Sequence, residues 1–290
     1  MFRASRLLSV LFCCLATFAL WLALAISPVQ AAPLTAADID RLDGVSRGAT
    51  AAGGRGDFEL AERGWTQIIN EMPTNAAAWS NRGNIRIGMN QLDEAIEDYT
   101  RSIELAPDIT DPYINRGAAY EAIGEWDAAI ADYNRALEID DRDPAIYNNR
   151  GNAKARQGDW DAALVDYQSA MLLAPKFSLA RLNVAFAKYE LGQDKQGIRE
   201  LSSLVRKYPS FADARAALTA AYWQNGQPGQ AESNWVAVNG LDQRYQDIDW
   251  VENVRHWPPR LVAGLRSFLK LEAPDSKRLA VSVQIGRAHV

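Results

Sequence analysis

The triplet Asn-Arg-Gly occurs three times, at 81–83, 115–117 and 149–151, and an aspartate follows each arginine sixteen residues later, as Asp98, Asp132 and Asp166. Two readings of this arginine row are open. Arg82, Arg116 and Arg150 could pair with those aspartates across two helices, as exposed ion pairs worth about 0–1 kcal/mol each. They could instead form a ladder that takes an acidic partner. Asparagines accompany the arginines, namely Asn81, Asn115 and Asn149 in the triplets and Asn84, Asn148, Asn152 and Asn183 beside them. A carboxamide both donates and accepts, so a row of them can pair with an extended peptide backbone. Its helix propensity is modest, so packing alone gives no reason to repeat it. The competing role is hydrogen bonding between the protein's own helices.

Other chemistry is thinly provided for. His256 is the only histidine apart from His289 near the end of the chain, and it has no cysteine or serine companion. A serine-histidine-acid triad or a zinc site needs more. The acid pairs Glu125/Asp127 and Asp159/Asp161 fall at turns into helices, where carboxylates cap the N-terminus and meet its dipole. The run Asp140-Asp141-Arg142-Asp143 lacks the glycine and the closing glutamate of a calcium loop. We therefore expect no catalytic residue, no metal and no cofactor. With 31 basic residues against 36 acidic ones, nucleic acid and anionic lipid are poor candidates for the main partner.

Both ends of the chain read as something other than fold. Arg3 and Arg6 precede an uncharged apolar run over 7–26, then Pro28 and the small-residue site Val29-Gln30-Ala31. That is the pattern of an export signal over 1–31, cleaved after Ala31. The apolar run is also long enough to span a bilayer, so membrane contact is expected only if it stays uncleaved. Bulky Phe12 before Cys13 argues against a lipoprotein. Cys13 and Cys14 are the chain's two cysteines, so the processed protein would carry no thiol. Residues 284–290, Gln-Ile-Gly-Arg-Ala-His-Val, read as one frame of a sequencing adapter at the end of a tail over 273–290, and we leave them out of the fold.

Between these ends the chain repeats every 34 residues, in frames that start at Leu42, Ala76, Thr110, Pro144, Ser178 and Ala212. The fifteenth position reads Gly56, Asn90, Gly124, Gly158, Gly192 and Gly226, residues that tolerate the left-handed conformation ending a helix. Small residues at the eighth position, such as Gly83, Gly117 and Gly151, and at the twentieth, such as Ala95, Ala129 and Ala163, let two helices approach closely. A large residue at the twenty-fourth, Tyr99, Tyr133 or Tyr167, fills the space beside that contact. Pro73, Pro107, Pro175 and Pro209 close four frames, since proline cannot continue a helix. Each frame is thus one helical hairpin that must stack on its neighbours to bury its apolar face. Gly44, Gly48, Gly53 and Gly54 should weaken the first helix. Asp141, in place of a closing proline, should allow a longer and smoother junction. Past the last frame, 249–256 and 260–271 read as short helices that shield the end of the array, with Trp250 and Trp257 in their core.

These columns resemble the tetratricopeptide repeat (TPR) family. The frame from Ala76 matches through Trp79, Gly83, Ala95, Tyr99 and Pro107, and the frame from Thr110 through Tyr113, Gly117, Tyr120, Ala129, Tyr133 and Ala136. The resemblance implies an all-α, right-handed solenoid: a lead-in over 32–41, six repeats over 42–245 and a helical cap over 246–272. It also implies that positions two, five, six, nine, twelve and thirteen of each first helix line a concave groove. On that footing the asparagines named above line a groove that binds a protein or peptide, as a scaffold or assembly factor would. The alternative is a structural homo-oligomer associating through its cap or convex face. In the subtype that clamps a chaperone's C-terminal carboxylate, Asn84 and Asn115 would match, but Ser80, Ala145 and Asn149 stand where cations are needed. The leader resembles those of exported cyanobacterial and plastid repeat proteins, which would place the chain in a thylakoid lumen or periplasm.

Overall fold

Glycine in mid-frame and proline near its end cut the chain into helices of nearly constant length. The computed structural model describes residues 34–272, and no strand occurs among them. The leader over 1–31 with its two cysteines, and the tail over 273–290, lie outside the described residues. No helix among the described residues is long and apolar enough to cross a membrane.

The described chain forms two units that divide between Arg47 and Gly48. Helix α1, Ala36–Arg55, begins in the first of them. Its start is a reciprocal cap: the Asp38 amide donates to Thr35 Oγ1 at 3.2 Å, and the Thr35 amide donates to Asp38 Oδ2 at 3.0 Å. Such a cap stabilises a helix by about 1 kcal/mol. The weak helix expected from Leu42 is therefore a continuous one that starts earlier and runs through all four glycines. Gly53, in the second unit, has a packing role, because a Cβ there would lie 2.7 Å from Ile85 Cδ1.

In the second unit the chain continues as α2, Phe58–Glu71, and α3, Ala76–Gly88, with α4, Leu92–Leu105, and α5, Thr110–Ile123. It goes on through α6, Trp126–Ile139, α7, Pro144–Arg156, α8, Trp160–Leu173, and α9, Ser178–Glu190. The last of the series are α10, Asp194–Lys207, α11, Ala212–Gln224, and α12, Pro228–Leu241. From Ala76 on, the two helices of each frame pack on each other, and each second helix packs on the first helix that follows. The first helices α3, α5 and α7 also touch one another, which makes them one continuous face.

The columns act as their residue types require. All six turn residues take positive φ, from +58° at Asn90 to +86° at Gly158, where a Cβ is tolerated only in residues such as asparagine. The tyrosine rings lie on the glycines: a Cβ at Gly83, Gly117 or Gly151 would meet the ring of Tyr99, Tyr133 or Tyr167 at 2.8, 2.8 or 2.6 Å. The alanines at the twentieth position are fully buried. Ala129→Leu should therefore overpack the α5–α6 contact and cost about 1–3 kcal/mol, as measured by urea denaturation. A change near zero would show that this column does not face the helix contact.

Donors at the fourth position close the junctions between frames. Trp79 Nε1 donates to the Pro73 carbonyl at 2.9 Å, Tyr113 Oη to Pro107 at 3.2 Å, and Arg181 Nε to Pro175 at 3.2 Å. The junction at Asp141 is no longer than the others, contrary to expectation. There the Asp140 carboxylate accepts from the Arg142 amide, Asp143 accepts from the Ala145 amide, and Pro144 opens α7. Two short acids and a proline shifted to the first helical turn end and restart the helix as a closing proline would.

After α12 come a 3-10 turn, Gln243–Gln246, a short helix α13, Ile248–Asn253, and α14, Pro259–Glu272. The expected helix over 249–256 starts at Ile248 and stops at Asn253, and His256, at φ +54°, lies outside it. Helix α14 packs on α11 and α9. It therefore covers the first-helix face of the last hairpins rather than extending the stack beyond α12. Leu261, Leu265 and Phe268 are fully buried in this contact. Phe268 meets Trp223 and Trp235 edge-on at 5.4 and 5.5 Å, and Trp257 meets Phe186 at 5.4 Å. Trp257 is thus cap core, as expected, and Trp250 packs on Tyr245 beside it.

Candidate functional site

Each triplet arginine grips its aspartate with two bonds. Arg82 Nε and Nη2 donate to Asp98 at 2.9 and 2.7 Å, Arg116 to Asp132 at 2.8 and 2.7 Å, and Arg150 to Asp166 at 2.9 and 2.6 Å. The remaining nitrogen, Nη1, reaches the second helix of the preceding hairpin, at Thr66, Thr100 and Asn134 respectively. Arg86 also donates to Asp98 at 2.9 Å, and Lys154 Nζ lies 2.8 Å from Asp166. These pairs are internal: the aspartates are 1%, 5% and 1% exposed. Two expectations are corrected together. The pairs are buried rather than exposed, because each carboxylate is enclosed between the helices of its hairpin, and all three nitrogens of each guanidinium are engaged. The row joins hairpins to each other and is not presented to an acidic partner.

The asparagines divide. Tyr99 Oη donates to Asn84 Oδ1 at 2.8 Å, and the same oxygen accepts from Asn115 Nδ2 of the next hairpin at 3.0 Å. The arrangement recurs where Tyr167 donates to Asn152 at 3.1 Å and Asn183 Nδ2 reaches Asn152 at 3.3 Å and Asn148 at 3.0 Å. Asn84, Asn115, Asn148, Asn152 and Asn183 are therefore engaged between helices. Asn148 Nδ2, Asn152 Nδ2 and Asn183 Oδ1 are left over from those bonds. Asn81 and Asn149, both half-buried, have no side-chain hydrogen bond among the described residues.

Between the two ladders the pattern is broken. Where Asn84 and Asn152 stand, the middle repeat has Ala118. Tyr133 Oη, the counterpart of the Tyr99 and Tyr167 hydroxyls, is buried with no carboxamide to donate to, and Glu121 Oε1 is buried as well. The two face each other, with the Tyr133 hydroxyl acting on the Glu121 carboxyl as a hydrogen-bond donor.

Ala118 and Glu121 line a cavity of about 730 Å³, a size typical of ligand pockets. Its floor is the first-helix face of α5, α7 and α9, including Asn148, Asn152 and Asn183. Trp126, Trp160, Tyr167 and Phe186 supply aromatic wall, and the segment from Glu252 to Val262, with His256 and Trp257, closes the far side. That segment is held in place by Arg255, whose Nη2 donates to Asp213 Oδ2 at 2.6 Å, and by Arg260, whose Nη1 donates to Asp194 Oδ1 at 2.9 Å. Of the seven asparagines, three face this cavity, while Asn81, Asn84, Asn115 and Asn149 do not line it.

Burial sets the electrostatics. It pushes the Glu121 carboxyl up to about 7, an effect that Tyr133 and Arg156 only partly offset. It also pushes His256 below the usual imidazole range, helped by Arg156 and Arg255. Arg156 stands over the Trp126 ring, 5.2 Å from its centroid. Among the described residues no cluster of histidine, cysteine or carboxylate could hold a metal ion. Of the acids read as caps, Asp159 accepts from the Ala162 amide at 3.0 Å. Glu125 makes no cap bond, and Asp127 accepts from Gln157 instead. Reading amides alone misses Glu121, the tryptophans and the cap segment. The signal that could have found them is the alanine at position 118, opposite an intact tyrosine column.

Sequence profiles described as tetratricopeptide repeat match residues 76–109 and 154–220, and one described as TPR repeat matches 122–158. The Hsp70-Hsp90 organizing protein 2 of Arabidopsis thaliana is 40% identical over 57 residues, which is 20% of this chain and 10% of that protein. The chain thus spans about a tenth of that relative's length. A tetratricopeptide repeat protein of Parabacteroides merdae is 18% identical with a TM-score of 0.65, covering 81% of this chain and 94% of its own. YrrB, a TPR protein with an unusual peptide-binding site, is 18% identical with a TM-score of 0.52, covering 61% and 92%. The MamA protein is 20% identical with a TM-score of 0.54, covering 57% and 91%. At these identities the structural likeness shows a shared fold.

Proposed function

We propose that this tetratricopeptide-repeat protein is a scaffold that binds an extended peptide or a partner protein along its first-helix face. The observation that carries the reading is the cavity on α5, α7 and α9, where Asn148 Nδ2, Asn152 Nδ2 and Asn183 Oδ1 remain available beside aromatic walls. Amide donors and an acceptor next to apolar surface are what a peptide backbone and its side chains require. The peptide-binding site named for YrrB supports the reading by analogy. The chain is a repeat scaffold and not an enzyme. The 34-residue spacing of the helix starts from Ala76 to Ala212 supports six repeats over 42–245. The leader supports an exported compartment such as a periplasm or thylakoid lumen. A chaperone-tail partner is not part of this reading, because Ser80, Ala145 and Asn149 offer a carboxylate no cation.

The test uses peptides selected by display on the purified protein. Asn148→Ala combined with Asn183→Ala should weaken a selected peptide about fivefold to a hundredfold, since two neutral hydrogen bonds contribute about 1–3 kcal/mol. Asn81→Ala, outside the cavity, should leave its affinity unchanged. Undiminished binding by the double variant would refute the reading. A second reading, self-association through the second helices, is favoured by the exposure of Leu172 at 80% and Val236 at 75%. Light scattering that gives a single-chain mass at micromolar concentration would dismiss it.

A further inference from the structure

The outward faces of three successive second helices differ in kind. At the twenty-second and twenty-ninth positions of their frames, α6 has Ala131 and Glu138, α8 has Val165 and Leu172, and α10 has Arg199 and Arg206, all of them exposed. Of the six second helices, α8 alone is apolar at both positions, with Val165 61% and Leu172 80% exposed. Being seven residues apart, the two lie about two turns along one face. Charge changes sign across that face. Asp127 and Glu138 are exposed on α6, and Lys195 and Arg206 are exposed at the same two positions of α10. Glu138 holds Arg135 at 2.9 Å, but its side chain stays 64% exposed. Lys195, Arg199 and Arg206 form no ion pair among the described residues, so α10 is an uncompensated basic face in a chain with more acid than base.

We propose that a second copy of this chain covers the α8 face, related to the first by a twofold axis that runs along α8. This rests on the self-association reading above and gives it a surface and an orientation. A twofold contact uses the same patch on both copies, so the patch must complement itself. An axis along α8 lays the two α8 helices side by side and parallel, with Val165 and Leu172 each against its own counterpart. It also sets α6 of one copy opposite α10 of the other at equal height, Asp127 toward Lys195 and Glu138 toward Arg206. An axis across α8 would set α6 against α6 and α10 against α10, like charge on like. The change of sign therefore selects the orientation, which is what charges around an apolar centre contribute. Asp161, exposed in the first turn of α8, would meet its own counterpart, so the contact is confined to the turns after it. That leaves a small apolar centre, as in a reversible dimer rather than an obligate one. Neither Val165 nor Leu172 lines the cavity, so the dimer leaves it open to a peptide.

Sedimentation velocity of the purified full chain, over a concentration series from micromolar to millimolar, measures the dimer and its dissociation constant. Leu172→Asp should weaken the dimer about tenfold or more, with helical circular dichroism and melting temperature unchanged. Glu138→Arg alone and Arg206→Glu alone should each weaken it several-fold, because each sets like charges against one another. The two reversals combined exchange both signs together and should return the affinity to that of the parent. A dimer indifferent to Leu172→Asp would overturn the inference and leave self-association to another surface, such as the one around Val236. A dimer weakened by Leu172→Asp but not restored by the combined reversal would overturn the twofold arrangement. A single-chain mass throughout the series would overturn this inference and the self-association reading together, and peptide binding would stand on its own test.

Discussion

Asp166→Ala should lower stability by about 3–5 kcal/mol, the cost of leaving buried charge without its counter-ion. Asp166 is 1% exposed, and it faces two cations, Arg150 at 2.6 Å and Lys154 at 2.8 Å. Its removal leaves a guanidinium and an ammonium side by side with side-chain exposures of only 19% and 21%. Asp132 faces Arg116 at 2.7 Å, and the place of Lys154 is taken there by Tyr120. Asp132→Ala should consequently cost less than Asp166→Ala. The joint replacement Arg116→Met with Asp132→Leu should recover most of that smaller loss, because a buried pair is often matched by apolar residues of similar volume. Urea denaturation of the single variants and the joint variant provides the comparison. Losses below about 1 kcal/mol would mean that the pairs behave as solvated surface pairs.

The hairpins are legible because their columns are enforced locally. A glycine that must take positive φ, an alanine with no room for more and a tyrosine ring resting on a glycine each recur at one spacing. Any single frame states the rule and the others repeat it. The depth of the Arg–Asp pairs is not legible in the same way. Burial depends on how the aspartate of α4, α6 or α8 is enclosed by its own hairpin and by the next residue in the stack, and sequence spacing alone does not report that. The course of α14 is hidden for a related reason. Its apolar residues fit the far end of the array as well as the first-helix face, and only the match of Phe268 to Trp223 and Trp235, with Gly264 close to the Ala220 carbonyl, selects the latter. Ala118 is the opposite case. It was visible all along as an alanine in an asparagine column, but its meaning needs the tyrosine column fifteen residues away, and two columns must be read together to see that the Tyr133 hydroxyl turns to Glu121 instead of a carboxamide.

Glu121 gives the second large effect, and its sign follows from burial. Its carboxyl is pushed from 4.5 up to about 7, so the folded protein holds a proton that the unfolded chain has already released. Stability from this group is complete below about pH 4.5 and is lost as the pH rises to about 7, by about 3 kcal/mol in all. The groups that face it are Tyr133, Tyr167 and Arg156, and burial pushes both phenols up, away from that window. His256 on the cap segment is shifted the other way. Its lowered pKa makes stability rise with pH, so the two residues oppose each other in the parent protein. The difference between parent and Glu121→Gln removes the histidine and isolates the carboxyl. Glutamine cannot ionise, so the variant should match the parent near pH 4.5 and exceed it at pH 8 by about 3 kcal/mol. Urea denaturation of both proteins across that range checks it. A parent as stable as the variant at pH 8 would show that Glu121 is ionised without cost, and that the pocket around it is far wetter than its walls of Trp126 and Tyr167 imply.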